Sequence, residues 1–236
     1  IGNENVRKTR IWNPEQQTWK ESGFPTRLVS APDSEGNQAT RCRFGVMNGQ
    51  VVLLTLTPEE SAAWRFHAGD WIEDKTLLAG LPTEKAAIFT LKDGTDQGVR
   101  FRDLNNDGQC ELIVSNPTQQ AVYAWSQTDS CWQKLPWSLP NAATIVDAQG
   151  RDAGLRFADI NEDGFADALF SNESRYSLDL FASLDKGWKN VFQKQRQDGD
   201  DMPAISRNGT NNGAWFHSRH LWVQNENTDK LKHLVA

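Results

Sequence analysis

Asp96-Gln-Gly-Val-Arg-Phe101-Arg-Asp103-Leu-Asn-Asn-Asp-Gly108 and Asp152-Ala-Gly-Leu-Arg-Phe157-Ala-Asp159-Ile-Asn-Glu-Asp-Gly164 are two copies of one pattern. They lie 56 residues apart, and the likeness continues through an apolar stretch into Ser115-Asn116 and Ser171-Asn172. Self-similarity at a fixed offset marks a repeat architecture. Two weaker copies flank the pair. Upstream, Cys42-Arg-Phe44-Gly-Val leads through Asn48-Gly49 into Val51–Thr55. Downstream, Gly213-Ala-Trp-Phe216-His leads into Leu221–Asn225. Phe44, Phe101, Phe157 and Phe216 therefore recur at steps of 57, 56 and 59 residues, and Trp19, Trp71, Trp132 and Trp188 recur late in each copy.

Each copy carries strand chemistry. Leu155, Phe157 and Asp159 alternate with Arg156 and Ala158, the period of a half-buried strand. A short apolar strand follows the Gly-containing loop. A third is expected at Ala121–Trp125 and Ser177–Phe181, and a fourth at Trp132–Leu135 and Trp188–Phe192. Gly, Asn, Asp and Pro fill the gaps. Four short strands per unit of about 40–60 residues predict the blade of a β-propeller, whose faces are buried by stacking on neighbouring blades.

The expectation is thus an all-β chain, residues 1–236 forming a single β-propeller domain of four-stranded antiparallel blades. The repeat units run over about 42–95, 99–150 and 155–205. The ends are incomplete in complementary ways. Arg10–Trp12 and Thr18–Lys20 are expected as third and fourth strands, and residues 214–224 as first and second. Combining 214–236 with 1–30 gives a composite closing blade and a four-bladed ring. An open ring would expose two sheet edges. The alternative is part of a larger propeller.

The loops carry the chemistry. Both read Asp-x-Asn-x-Asp-Gly-x-x-(Asp/Glu). Asp103, Asn105, Asp107, Gln109 and Glu111 stand at positions 1, 3, 5, 7 and 9 of the first, and Asp159, Asn161, Asp163, Phe165 and Asp167 at those of the second. Calcium takes six to eight hard oxygen ligands, and alternate positions of a curled loop aim their oxygens at one point. The glycine at position 6 permits the sharp turn. Position 7 would contribute its backbone carbonyl, being Gln in one copy and Phe in the other. An EF-hand would place a bidentate Glu at position 12, where Val114 and Phe170 stand, and would have helical flanks. Three carboxylates per loop would repel one another without a cation. Two calcium sites are therefore expected, with a structural role. Gly45-Val-Met-Asn-Gly and His217-Ser-Arg-His lack the carboxylates and are expected to bind none. No catalytic or cofactor-binding residue is assigned. Asp96 and Asp152, seven residues before each loop, are read as making a blade-to-blade hydrogen bond, as is Asn211 at the equivalent place. His217 and His220 are read as polar strand residues, and residues 207–213 as a long loop.

Composition narrows the function. The net charge is −6 and the sequence pI about 5.3, so the basic footprint of a nucleic-acid or anionic-lipid binder is missing. No apolar run approaches the ~18 residues that span a bilayer, so no membrane insertion is expected. Ile1 opens no basic or apolar leader, so an export signal would have been removed or lie upstream. Calcium sites point to an extracytoplasmic place: periplasmic, secreted or cell-surface. Cys42, Cys110 and Cys131 match no zinc site or Cys-x-x-Cys-His haem attachment, and a Cys110–Cys131 bridge is open in an oxidising compartment.

The loops resemble the FG-GAP/VCBS repeats of integrin α-subunit propellers and many secreted bacterial proteins. The resemblance covers residues 96–192 well and the rest loosely. The strings at 150–157, 170–176 and 208–222 are similar to the propeller region of planctomycete-type membrane-bound dehydrogenase-like proteins, which also carry a c-type cytochrome segment. That resemblance implies one module of a larger exported protein, whose partners are its other domains or a protein partner. Since the haem motif is absent here, it implies no redox chemistry for this piece. The leading expectation is a non-catalytic, calcium-stabilised scaffold or interaction domain. A carbohydrate-binding lectin, with a glycan as ligand, would need exposed aromatics at equivalent places. A sugar or alcohol dehydrogenase module would need a convergent polar cluster.

Overall fold

The computed structural model describes residues 6–32, 34, 36, 38–84, 86–197, 202–217 and 220–225. Residues 1–5 and 226–236 of the expected closing unit, and Ser218 and Arg219, lie outside them. The chain divides into two compact units, residues 1–102, 108–114 and 123–134, and residues 103–107, 115–122 and 135–236.

In the first unit, β1 (Lys8–Asn13) and β2 (Thr18–Gly23) form a two-stranded antiparallel sheet. A four-stranded sheet follows, with β3 (Cys42–Met47), β4 (Gln50–Leu56), β5 (Ser61–His67) and β6 (Asp70–Glu73) side by side in chain order. Asn48 and Gly49 turn β3 into β4 with φ of 53° and 69°. Both residues are left-handed, as the two-residue turn matching strand twist requires. A short hairpin, β7 (Leu91–Lys92) and β8 (Thr95–Asp96), leads into β9 (Val99–Arg102). With β10 (Glu111–Ser115), β11 (Gln120–Ser126) and β12 (Cys131–Lys134), β9 makes the second four-stranded sheet, of which Ser115 and Gln120–Val122 are counted with the second unit.

In the second unit, β13 (Leu155–Ala158), β14 (Asp167–Ser171), β15 (Arg175–Ser183) and β16 (Gly187–Gln195) form the third four-stranded sheet. A short hairpin, β17 (Ser206–Arg207) and β18 (Thr210–Asn211), precedes β19 (Ala214–His217) and β20 (His220–Val223), which pair as a two-stranded sheet. Strands lie at all the expected strand positions. The three expected internal units each contain one four-stranded antiparallel sheet.

Burial follows the blade logic. The second strands β10 and β14 are buried at every position, and β4 at its last five. Side chains alternate across a strand, so such strands are covered on both faces. The paired Ser-Asn also has its reason. Ser115 and Ser171 are fully buried and donate to the carbonyls of Ala143 (3.1 Å) and Pro203 (2.7 Å), fastening the second strand to the connection that leaves its sheet. The Asn116 side-chain oxygen accepts from the Thr118 and Gln119 backbones, and Asn172 does the same for Ser174 and Arg175. These side-chain turns start the third strand.

One aromatic pair recurs in the third-to-fourth-strand hairpin of each four-stranded sheet and in the β1–β2 hairpin. Phe66 stands across from Trp71, Trp125 from Trp132 and Phe181 from Trp188, with ring centroids 5.0, 5.4 and 5.2 Å apart. In β1–β2, Trp12 stands across from Trp19 at 5.3 Å. The recurring tryptophans are legible in the sequence, but their cross-strand partners emerge only once the register is known. Trp132 is 3% exposed, whereas Trp12 and Trp19 are 46% and 62% exposed.

Candidate metal centre

Both loops join the first strand of a sheet to its second, β9 to β10 and β13 to β14, the same turn in consecutive repeats. They curl in the same way. The Asp107 N–H donates to Asp103 Oδ1 at 3.1 Å, and the Asp163 N–H to Asp159 Oδ1 at 3.0 Å. Asn105 Nδ2 donates to Asp107 Oδ2 at 2.9 Å, and Asn161 Nδ2 to Asp163 Oδ2 at 2.8 Å. Gly108 and Gly164 sit at φ of 84° and 90°, the role assigned to position 6. The structure adds a second left-handed residue at position 4, Asn106 at 57° and Glu162 at 62°. Asparagine tolerates that conformation and glutamate does so poorly; an Asn at position 4 was the signal available.

The second loop turns its carboxylates towards its own backbone. Asp159 Oδ2 accepts the Gly164 N–H at 2.9 Å, and Asp163 Oδ1 accepts that of Phe165 at 2.9 Å. Asp167 is fully buried. Its Oδ2 accepts the N–H groups of Ile160 (2.9 Å) and Asn161 (3.4 Å), and its Oδ1 that of Phe181 (2.9 Å). Burial pushes its carboxyl above the ordinary value. The three N–H donors oppose this without cancelling it, and the Asp163 charge adds to it. Glu111, the equivalent residue of the first loop, is also buried. Among the described residues, no three His, Cys, Asp or Glu side chains converge as a metal-binding group.

The donor set nonetheless fits a hard cation. It is all oxygen, from carboxylates, asparagine amides and loop carbonyls. Asn105 Oδ1 is buried and has no hydrogen-bond donor. A buried acceptor without a donor costs about 1–3 kcal/mol, and a cation would satisfy it. Asn161 Oδ1 instead accepts the Asp163 N–H at 3.2 Å. Neither side chain at position 7 turns towards a metal. Gln109 Oε1 accepts from Gln127 Nε2 at 2.7 Å, and Phe165 packs edge-on against Phe181, centroids 6.1 Å apart.

Position 8 does something the sequence did not announce. The Cys110 N–H donates to the Val46 carbonyl at 2.8 Å, and the Ala166 N–H to the Leu104 carbonyl at 2.9 Å. The first loop is thereby bonded to the end of β3, and the second loop to the first loop, just past the end of β9. The second loop also forms part of the wall of a cavity of about 930 Å³, whose other walls include Leu169, Phe192 and Phe216.

The residues ahead of the loops form a motif, Asp-x-Gly-x-Arg. Asp96 Oδ1 accepts the Gly98 N–H at 2.8 Å, and Arg100 grips the carboxylate with both Nη atoms at 3.1 and 2.8 Å. Asp152 does the same with Gly154 (2.9 Å) and Arg156 (2.9 and 2.6 Å). The expected contact between repeats exists for Asp96, through buried Arg43 on β3 at 2.8 Å. Burial raises the Asp96 carboxyl, but the Arg100 hydrogen bonds and the Arg43 and Arg100 charges outweigh it and hold the pKa below the ordinary value. Asn211 bonds Ala214 with its side-chain oxygen and nitrogen, a local contact and not one between repeats. His217 and His220 face each other across the exposed end of β19–β20. The three cysteines are free thiols, so Cys110 and Cys131 are not bridged.

A family model described as an FG-GAP-like repeat matches residues 103–170. That span begins at the first loop and contains the whole of the second. Residues 103–170 are thus similar to an FG-GAP-like repeat. Its all-β, four-stranded antiparallel sheets are those of propeller-like blades. No curated protein matches the chain. No helix among the described residues is long and apolar enough to cross a membrane, which says nothing of a β-barrel.

Proposed function

We propose that the chain is a calcium-stabilised β-propeller module that serves, without catalysis, as a scaffold or interaction domain of a larger exported protein. The observation that carries the calcium reading is the buried, donorless Asn105 oxygen, inside an oxygen-rich loop repeated at the same turn of the next sheet. Asp103, Asn105, Asp107 and Glu111 would hold one ion, with the Gln109 carbonyl. Asp159, Asn161, Asp163 and Asp167 would hold the other, with the Phe165 carbonyl. The ion would set the curl of a loop whose next residue is bonded to the preceding repeat. Its role is then to keep consecutive blades in register, and extracytoplasmic calcium suits it. At a dissociation constant of order 0.1 mM and about 1 mM calcium, each site contributes about 1.4 kcal/mol.

The four-bladed ring rests on complementary ends. β1–β2 carries the aromatic pair of third and fourth strands, and β19–β20 carries Phe216 at the place of Phe101 and Phe157 on first strands. One complete blade is what the two halves would make together. The lectin reading needs exposed aromatics at equivalent places, and Trp132 is buried. The likeness to dehydrogenase-like propellers would set the module beside a haem domain; this piece lacks the haem motif.

Thermal melting in 1 mM calcium against excess chelator tests the reading. The melting temperature should fall on chelation, by less in Asp103→Ala and in Asp159→Ala, and not at all in the double variant. An unchanged wild-type melt would sink the structural-calcium claim.

A further inference from the structure

The cavity of about 930 Å³ that the second loop helps to wall lies within the second unit. Most of its lining is apolar. Leu178 and Phe192 stand across from each other on β15 and β16, and Phe216 and Leu221 do so on β19 and β20. Leu169 and Met202 line it too. Leu178, Met202, Phe216 and Leu221 pack on the buried cluster of Leu169, Ile205 and Ala214, yet all four are only half-buried. Half-covered apolar side chains gain from a ligand that takes the rest of their surface out of water.

One wall is acidic. It carries Asp159, Glu162 and Asp163, and among the described lining residues none is Lys or Arg. Asp159 accepts the N–H groups of Asp163 and Gly164, and Asp163 accepts the Phe165 N–H and Asn161 Nδ2. A carboxylate has about four acceptor sites. Each can therefore take a further donor while keeping its place in the loop, and both residues are exposed.

We propose that this cavity binds a small amphiphilic cation, an apolar body carrying an ammonium group. The body covers Leu178, Phe192, Phe216 and Leu221, and the ammonium donates to the Asp159 and Asp163 carboxylates. An ammonium is a compact charge whose three donors all need acceptors. An apolar cavity of about 300–1,000 Å³ with a few polar groups on one side is the usual form of a small-ligand site. A neutral apolar molecule would leave the acidic wall unused, and an amphiphilic anion would be repelled by it. Asp159 and Asp163 are also candidate ligands of the second calcium. The cation and calcium then exclude each other, and each weakens the other by the same factor. The ligand site stands without the calcium reading; only the competition rests on it.

The experiment is calorimetric titration of the whole chain with octylamine, octanol and octanoate in turn, in excess chelator at neutral pH and fixed ionic strength. One octylamine should bind per chain, octanol should bind at least about tenfold more weakly, and octanoate should give no saturable heat. Replacing the chelator with about 1 mM calcium should weaken octylamine about tenfold, for a calcium dissociation constant of order 0.1 mM. In chelator, Asp163→Asn should weaken octylamine at least about tenfold, with an unchanged circular dichroism spectrum, and leave octanol as it was. Phe216→Ala should weaken both; if it fails to fold, the ranking of the three ligands on the wild type still decides. Absence of saturable octylamine heat in chelator, equal binding of octanol or octanoate, or a folded Asp163→Asn variant that binds octylamine normally would each overturn the proposal. An octylamine affinity unmoved by calcium, in a protein whose melt calcium raises, would overturn the shared use of Asp159 and Asp163. A chelator-insensitive melt sinks the calcium reading and leaves octylamine binding in chelator as expected here.

Discussion

The loops at 103–111 and 159–167 share their pattern, their curl and their place between first and second strands, yet they treat the asparagine at position 3 differently. Asn161 Oδ1 is satisfied by a backbone N–H of its own loop. Asn105 Oδ1 is buried without a donor. The carboxylates ahead of the loops differ in the same spirit. Asp152 is held by Arg156, and Asp96 by Arg100 and also by Arg43 of the preceding repeat. Near-identical sequence therefore yields near-identical local structure, while small differences within the loop and a contact from the preceding repeat decide which polar groups are satisfied.

The most damaging change is expected at Asp96. In Asp96→Ala, Arg43 loses the carboxylate it pairs with while still buried. Breaking a buried pair from one side costs about 3–5 kcal/mol, against about 1–2 kcal/mol for Asp152→Ala, whose partner is 24% exposed. Urea denaturation reads the difference, and equal losses would erase the contrast. The same residue sets an acid limit. Because its folded pKa is lowered, its contribution is present above the unfolded value near pH 4 and is lost as pH falls through the folded value. The stability difference between wild type and Asp96→Asn should therefore shrink below about pH 4.

Asp167→Ala comes next. It removes the acceptor of three backbone N–H groups at a fully buried site, and about 2–3 kcal/mol should be lost even in chelator. A loss confined to calcium-containing buffer would mean that Asp167 is a ligand and little else.

Calcium itself gives a smaller term, about 1.4 kcal/mol per site at 1 mM, and here the loops should separate. Asn105→Ala removes the donorless oxygen and Asn161→Ala a satisfied one, so without calcium the first substitution should be the better tolerated. Melting both variants in chelator, then in calcium, resolves the two contributions; the same ranking in both buffers would contradict the cation reading of Asn105.

The mildest changes are at position 7. Phe165→Ala should lose about 1 kcal/mol of aromatic packing against Phe181, and Gln109→Ala less than that. Neither should move calcium affinity more than about twofold, since this position is expected to offer its backbone carbonyl. A tenfold change on titration would make the side chain a ligand.

By itself, the sequence was enough for the repeat, the four strand positions in each copy and the nine-residue loops, because these depend on local periodicity and on turn residues whose conformational needs are intrinsic. Phe44, Phe101, Phe157 and Phe216 marked first strands, and the late tryptophans marked fourth strands. Partners far along the chain had no such signal. That Trp12 meets Trp19 as Trp125 meets Trp132, that Cys110 and Ala166 bond the preceding repeat, that Asp96 is shared by two arginines, and that three thiols stay free followed only from register and packing. Gly45 makes the point at atomic scale. On sequence it is merely a gap in the Arg-Phe-Arg and Arg-Phe-Ala pattern of its neighbours. In the structure, a Cβ there would lie 2.5 Å from the Phe101 ring, so its meaning belongs to a side chain 56 positions away. Local chemistry chooses an element; excluded volume and the pairing of buried polar groups decide what that element must fit.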